Sequence, residues 1–131
     1  MAILHAHHIA LRTPHFERAK AFYTGILGFP IKGQLPGANV VFIDIGGTTT
    51  ELVQGPVAED YCPPGCGFMH LAFEVDSVDA TYADLVLKGV EFFIEPKTVG
   101  DIRLAFFRDP DGNELELFQS PSLSWGSRGV R

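Results

Sequence analysis

Residues 50–54 have the sequence TELVQ, and a near copy, LELFQ, stands at residues 115–119. Each segment places a leucine directly after a glutamate and ends in a glutamine. Because successive side chains of a β-strand point to opposite faces, this alternation is typical of a strand with one buried face. This repeat predicts that the chain contains two copies of one structural unit.

The similarity extends towards the N-terminal side of both segments. HHIALRT at 7–13 corresponds to MHLAFEV at 69–75, and both runs favour a β-strand. Apolar residues at three- and four-residue spacing follow each run, which predicts a helix in each copy. The helical patterns end at Gly28 and Gly89, and glycine adopts the left-handed conformation of a helix C-cap at little cost.

Three short β-like runs follow each predicted helix, and glycine and proline separate them. Their residues are 29–34, 39–45 and 48–54 in the first copy, and 90–94, 102–108 and 113–119 in the second. Each copy is therefore a strand–helix–strand–strand–strand unit. The sequence predicts an α+β fold of paired βαβββ modules.

A single domain, residues 1–131, is expected from these two modules. The predicted parts are module 1 at about 3–54, a linker at 55–67, module 2 at about 68–119 and a loosely held tail at 120–131. Cys62 and Cys66 lie in the linker as CPPGC and are expected to be reduced, with a local disulfide or a redox pair as the alternatives. Trp125 in the tail is predicted to dock on a surface or on a second subunit.

Composition limits the classes of function. The chain has 131 residues, 46 % hydrophobic and 20 % charged, with a formal charge of −6 and a pI near 5.2. A negative protein is a poor match for phosphate backbones, so nucleic acid is not expected as a partner. The chain contains no apolar run long enough to cross a membrane and does not begin like a signal peptide, so no membrane association and a cytoplasmic location are predicted.

One histidine and one glutamate in each copy fall on the strand face turned away from the helix. They are His8 and Glu51 in the first copy, and His70 and Glu116 in the second. Two carboxylates facing each other would repel, and a divalent cation removes that conflict. Two nitrogen and two oxygen ligands suit Ni²⁺, Zn²⁺, Co²⁺, Fe²⁺ or Mn²⁺, one ion per site. The neighbouring His7 is expected to lie on the opposite face.

Several segments resemble the vicinal oxygen chelate superfamily, also called the glyoxalase/bleomycin resistance/dioxygenase group. The segments are HHIAL at 7–11, AFYTGILGF at 21–29, TTTEL at 48–52, HLAFEVD at 70–76 and DPDGNELEL at 109–117. The resemblance covers about residues 3–119. It implies a glyoxalase-like fold, in which the paired βαβββ modules form a metal-containing cup, and a metal held by His8, Glu51, His70 and Glu116.

The ligand set is similar to that of bacterial glyoxalase I, which isomerises the hemithioacetal of glutathione and methylglyoxal to a lactoyl thioester. The resemblance implies a metal-bound enediolate, with Glu116 as the base and Glu51 as its counterpart for reprotonation. It also implies that Arg12 binds a substrate carboxylate, and that the small-molecule substrate is a carbonyl or thioester compound. A homodimer is expected, with each cup built within one chain or across two.

Two other functions remain open from the residues. Glyoxalase I usually has asparagine four residues after its first glutamate, where this chain has Gly55. A methylmalonyl-CoA epimerase-like enzyme would perform similar chemistry, but such enzymes usually have glutamine at the position of Glu51. A metal-free small-molecule binding module, like the bleomycin-sequestering members, usually lacks the full ligand set.

Overall fold

A computed structural model describes residues 4–55 and 70–125. These residues form two compact units, called here the first unit (4–55) and the second unit (70–125). The predicted linker after residue 55, including Cys62 and Cys66, and the end of the predicted tail from residue 126 lie outside the described residues. The organisation as one domain of two modules stays a prediction.

The first unit contains one four-stranded sheet with helical segments between its first two strands. Its elements are β1 (His8–Thr13), α1 (Phe16–Ala21), a π-helical turn (Phe22–Ile26), β2 (Ile31–Gln34), β3 (Val40–Asp44) and β4 (Thr49–Gln54). The strand order is β1-β4-β3-β2, with β1 parallel to β4 and the other neighbours antiparallel.

The second unit repeats this topology. Its elements are β5 (Leu71–Glu74), α2 (Val78–Leu87), β6 (Phe92–Val99), β7 (Ile102–Arg108) and β8 (Glu114–Gln119). The order β5-β8-β7-β6 and the parallel pairing of β5 with β8 match those of the first sheet. The predicted α+β class and the two βαβββ modules are confirmed.

The repeated TELVQ and LELFQ segments have a shared structural explanation. Leu52 and Leu117 are almost completely buried against the helical side of their sheets. The glutamine that ends each segment caps the helix of its own unit: the Gln54 side chain accepts from the Phe16 N–H at 3.1 Å, and that of Gln119 from the Val78 N–H at 2.9 Å. Each closing strand therefore contributes both to the core and to helix initiation.

The core of each unit lies between its helix and one face of its sheet. In the first unit Tyr23 of the π-helical turn and Val41 and Ile43 of β3 are all fully buried. In the second unit Val78 of α2 and Phe107 of β7 are fully buried. The opposite faces of the sheets carry the histidines and glutamates singled out from the sequence.

The first helix differs from the continuous helix that its apolar spacing predicts. After Ala21 the chain continues as a π-helical turn, in which the Leu27 N–H donates to the Phe22 carbonyl at 3.0 Å. The Thr24 hydroxyl donates to the Lys20 carbonyl at 2.7 Å and so occupies an acceptor of the regular helix. Such side-chain bonds compete with the helical hydrogen bond to the same carbonyl.

The ends of both helices agree with the sequence. Gly28 and Gly89 have φ of 78° and 91°, the left-handed conformation predicted for them. Ser77 is the N-cap of α2, and its hydroxyl accepts from the Ala80 N–H at 3.1 Å. The part of the chain that the structure describes contains no helix long and apolar enough to span a membrane.

Two later segments, β6 and the start of the tail, are more ordered than the sequence predicts. β6 continues to Val99 instead of ending at residue 94, because a register shift between Ile94 and Lys97 accommodates Pro96 within the strand. The start of the tail is held by Glu74, which accepts from the Ser124 hydroxyl and, at 3.2 Å, from the Trp125 N–H. The Trp125 side chain itself is largely exposed.

Candidate metal centre

The first His–Glu pair lies on the exposed face of the first sheet. Parallel pairing places Ala10 of β1 beside Glu51 of β4, so the residue two before Ala10, His8, shares a face with Glu51. His8 Nε2 lies 3.4 Å from Glu51 Oε1. The side chains are 37 % and 19 % exposed. The structure thus brings together the two ligands that the sequence assigns to this unit.

The second pair repeats this arrangement in the second unit. Ala72 of β5 pairs with Glu116 of β8, and the side chain of His70, directly before β5, lies beside Glu116. His70 Nε2 lies 3.0 Å from Glu116 Oε1. These side chains are 28 % and 8 % exposed, so this pair is the more enclosed of the two.

Burial changes the acid–base behaviour of Glu116. Burial of its carboxyl away from solvent raises the pKa of Glu116 above its ordinary value. The nearby His70, through its charge and its hydrogen bond, opposes part of that shift in the pKa. A carboxyl with a raised pKa is better suited to accept and return a proton near neutral pH than a fully solvated one.

An aromatic ring that was not predicted from the sequence accompanies each pair. Phe42 pairs with Glu51 across β3 and β4, and its ring centroid is 5.5 Å from that of His8. Phe106 pairs with Glu116 in the same way, at 5.2 Å from His70. Both contacts are edge-to-face and limit the orientations of the imidazoles. The repeat spacing carried a signal for these residues, since Phe42 and Phe106 occupy equivalent positions of the third strands.

His7 does not lie where strand alternation placed it. Its Nδ1 is 2.9 Å from Nδ1 of His8, and its ring meets Phe42 at a centroid distance of 6.1 Å. The expectation that His7 faces the other way is wrong, because β1 begins only at His8 and the preceding residue is free of the strand's alternation. His7 is therefore a direct neighbour of a predicted metal ligand.

Arg12 occupies the far end of the same strand face. It is exposed, and its side chain runs past Gly55: a Cβ built on that glycine would lie 3.4 Å from Arg12 Cδ. Gly55 follows β4 directly, and its N–H donates to the Thr13 carbonyl at 3.0 Å. A side chain at position 55 would contact Arg12 at ordinary van der Waals distance, so glycine leaves the guanidinium stem uncovered on this side.

Comparison with known proteins assigns the family. The profile of the Glyoxalase/Bleomycin resistance protein/Dioxygenase superfamily matches residues 5–117. The chain belongs to this superfamily. The match spans both units and therefore includes all four predicted ligands.

Relatives within the superfamily have different roles. Human mitochondrial methylmalonyl-CoA epimerase is 33 % identical over 71 % of this chain and 58 % of its own length. A probable lactoylglutathione lyase of Vibrio cholerae is 28 % identical over 93 % of this chain and 95 % of its own. The crystal structure of TnmS3, an antibiotic binding protein from a Streptomyces species, matches with a TM-score of 0.75 and 32 % identity, covering 92 % and 98 % of the two chains.

The chemistry of the two pairs suits a divalent metal ion. Neighbouring ligands at about 2.0–2.2 Å from a metal are themselves separated by about 3.0–3.4 Å, which is close to the N···O distances of 3.4 and 3.0 Å in the two pairs. Each unit supplies one imidazole and one carboxylate. Within the described residues of the chain no group of three or more metal-binding side chains occurs, so neither pair is a complete site on its own.

Proposed function

We propose that this protein is a divalent-metal-dependent enzyme of the vicinal oxygen chelate type, with glyoxalase I-like isomerisation (lactoylglutathione lyase type) as its reaction. The observation that carries the proposal is the His–Glu pair that recurs on equivalent strands of both units. In this proposal His8, Glu51, His70 and Glu116 hold one metal ion. The similarity to a probable lactoylglutathione lyase along almost the whole chain supports this reaction.

The proposed chemistry is proton transfer at a carbon next to a carbonyl group. A bound divalent ion would hold vicinal substrate oxygens and polarise the carbonyl as a Lewis acid. Glu116 is assigned the carbon-bound proton, because its carboxyl is the more buried of the two and lies 3.0 Å from Nε2 of His70. Glu51, which is more exposed, delivers to the other carbon a proton that it takes up from solvent, and Glu116 releases its proton to solvent after the reaction, so that both groups return to their starting states.

Arg12 is proposed to bind an anionic end of the substrate. Its guanidinium lies at the end of the strand that begins with His8, on the same face, and can form paired hydrogen bonds with a carboxylate. Gly55 beside it leaves room for a substrate group where an asparagine side chain would otherwise reach.

Two alternatives have specific support. Methylmalonyl-CoA epimerase chemistry also moves a proton next to a thioester carbonyl, and the human epimerase is 33 % identical to the matched part of this chain. Metal-free binding of a small molecule is favoured by the 32 % identity to TnmS3. The epimerase would use the same four side chains, whereas the binding module would not need them.

Metal content separates the enzymatic proposals from the binding module. Elemental analysis of the purified protein should find one divalent ion per four-ligand set in the unaltered chain. His70→Ala and Glu116→Gln should lose that ion, while the control Glu95→Gln, at an exposed position of β6, should retain it. Metal content that is the same in all four proteins would refute the site.

Turnover then separates the two reactions. The metal-loaded protein is expected to convert the hemithioacetal of glutathione and methylglyoxal, followed by the absorbance of the thioester product. Turnover of methylmalonyl-CoA instead would establish the epimerase alternative, and tight binding of an antibiotic by metal-free protein without either activity would establish the binding module. Size-exclusion chromatography tests the proposed homodimer.

A further inference from the structure

The first unit contains a cavity that the proposed reaction does not use. It has a volume of about 440 Å³, within the range of small-molecule sites. The residues that line it include His5, His7, Lys32, Gly33, Phe42 and Asp44. The Phe42 ring also contacts His8, so the cavity adjoins the first His–Glu pair.

The second unit shows why a cavity exists at this place. Gly33 of β2 pairs with Phe42, directly after a register shift in the strand. Ile94 of β6 pairs with Phe106, directly after the same kind of shift, and is therefore the counterpart of Gly33. A glycine thus replaces a branched apolar side chain beside the aromatic ring of the first unit.

The residues of the second unit that correspond to Lys32 and Asp44 also fill space beside the aromatic ring. In the second unit they are Phe93 and Arg108, and the Arg108 guanidinium lies 3.8 Å from the centre of the Phe93 ring. Phe93 in turn lies 5.8 Å from the Phe106 ring. The second unit therefore covers its aromatic ring with a stacked aromatic and arginine side chain, whereas the first unit leaves its ring facing open space.

The walls of the cavity combine positive and aromatic groups. Among the residues that the structure describes, Lys32 has no ion-pair partner, although the chain as a whole carries a formal charge of −6. His5 and His7 add imidazole N–H donors at the rim. The one carboxylate, Asp44, accepts from the Gly46 N–H at 2.9 Å through Oδ1, which offsets part of its charge. A free ammonium group and an open ring face favour a planar anion.

We propose that this cavity binds a small organic acid, with its carboxylate beside Lys32 and a flat apolar group on the Phe42 ring. The proposal goes beyond the proposed reaction, because it assigns a ligand class to a place that needs no metal. A ligand bound here would lie next to His8, so an acid of this kind would be held at the edge of the proposed metal centre.

Benzoate is the simplest probe with both features. In metal-free protein with chelator present, titration with benzoate is expected to shift the amide NMR signals of Gly33 and Gly47, which line the cavity. Benzamide, which has the same shape without the charge, should bind more weakly. Lys32→Gln should weaken benzoate binding about two- to fivefold, the size of an exposed ion-pair contribution. Lys97→Gln removes a charge from β6 in the second unit and should have no effect.

Gly33→Ile provides the second variant, because it introduces the residue that the second unit has at this place. A Cβ on Gly33 would lie 4.0 Å from the Phe42 ring, and Gly33 does not have a positive φ, so the backbone accepts the change. The variant should melt like the unaltered protein and lose benzoate binding. NMR shifts confined to residues outside the cavity would overturn the inference. So would a benzoate affinity of Lys32→Gln and Gly33→Ile that equals that of the unaltered protein. Binding seen only with metal present would also overturn it while supporting the metal centre.

Discussion

The two units place histidine, glutamate and phenylalanine at equivalent strand positions but surround them differently. In the second unit the Glu116 side chain is only 8 % exposed, and an aromatic and arginine stack lies beside the pair. In the first unit Glu51 is 19 % exposed and an open cavity adjoins the pair. The same residue types therefore occur in a more enclosed and a more open environment. This difference suits the proposed division of labour, with proton transfer at Glu116 and ligand binding in the first unit.

The contact between His7 and His8 gives the largest expected difference between the pairs. For His8 to offer Nε2 to a metal, its Nδ1 must carry the proton, which then points to Nδ1 of His7 at 2.9 Å. Removing such a partner typically weakens metal binding about 10- to 100-fold. His7→Ala should show this loss in a competition titration with a chromogenic chelator.

Two further variants make this measurement specific. His7→Asn keeps a hydrogen-bonding group near the same place and should recover part of the affinity. His15→Ala, at the start of α1, removes an imidazole away from the pair and should bind metal like the unaltered protein. Unchanged affinity in His7→Ala would mean that His8 is oriented by Phe42 alone.

The two glutamine caps should differ by a smaller amount in what each contributes to the free energy of unfolding. Gln54 accepts from Phe16 N–H and also donates to the Pro14 carbonyl at 2.9 Å, and α1 has no other side-chain cap. In the second unit α2 keeps the cap of Ser77 when Gln119 is replaced. Gln54→Ala is therefore expected to cost about 1–2 kcal/mol of unfolding free energy and Gln119→Ala about 0.5–1 kcal/mol, measured by denaturant titration.

A control for the caps is available on β2. Gln34→Ala removes an exposed glutamine of the first unit and should change the free energy of unfolding by less than about 0.5 kcal/mol. If Gln119→Ala lowered the free energy of unfolding as much as Gln54→Ala, the two caps would be equivalent. The hydrogen bond from the Gln54 amide to the Pro14 carbonyl would then add no stability.

The pH dependence of stability gives the smallest effect. Because burial raises the pKa of Glu116, its carboxyl favours the folded state while protonated, and that contribution is lost as pH rises through the raised pKa. In metal-free protein, Glu116→Gln should therefore become more stable relative to the unaltered chain as pH rises. Thermal melts across mildly acidic to neutral pH measure the difference, and the exposed Glu95→Gln supplies the control. A constant difference at all pH values would contradict the role assigned to burial.

Local sequence signals predicted most of the fold because they act within one strand or one turn. Glycine at 28 and 89 ends the helices through its freedom to adopt a positive φ. Strand alternation placed His8 and His70 on the same faces as Glu51 and Glu116, although it placed His7 on the wrong one. The predicted ends of elements were wrong where a longer-range or competing interaction determines where a helix or strand stops. After Ala21 the first helix continues as a π-helical turn, in which the Thr24 hydroxyl bonds the Lys20 carbonyl, and the register shift near Pro96 lets β6 continue.

The sequence by itself determined the duplicated topology and the four candidate ligands, since strand periodicity and repeat spacing are properties of the linear chain. Only the tertiary structure decided how these residues are surrounded. The burial that raises the pKa of Glu116, the approach of His7 to His8 and the cavity beside Phe42 depend on side chains from separate strands. Their relative positions follow from sheet register and packing, which no single segment specifies.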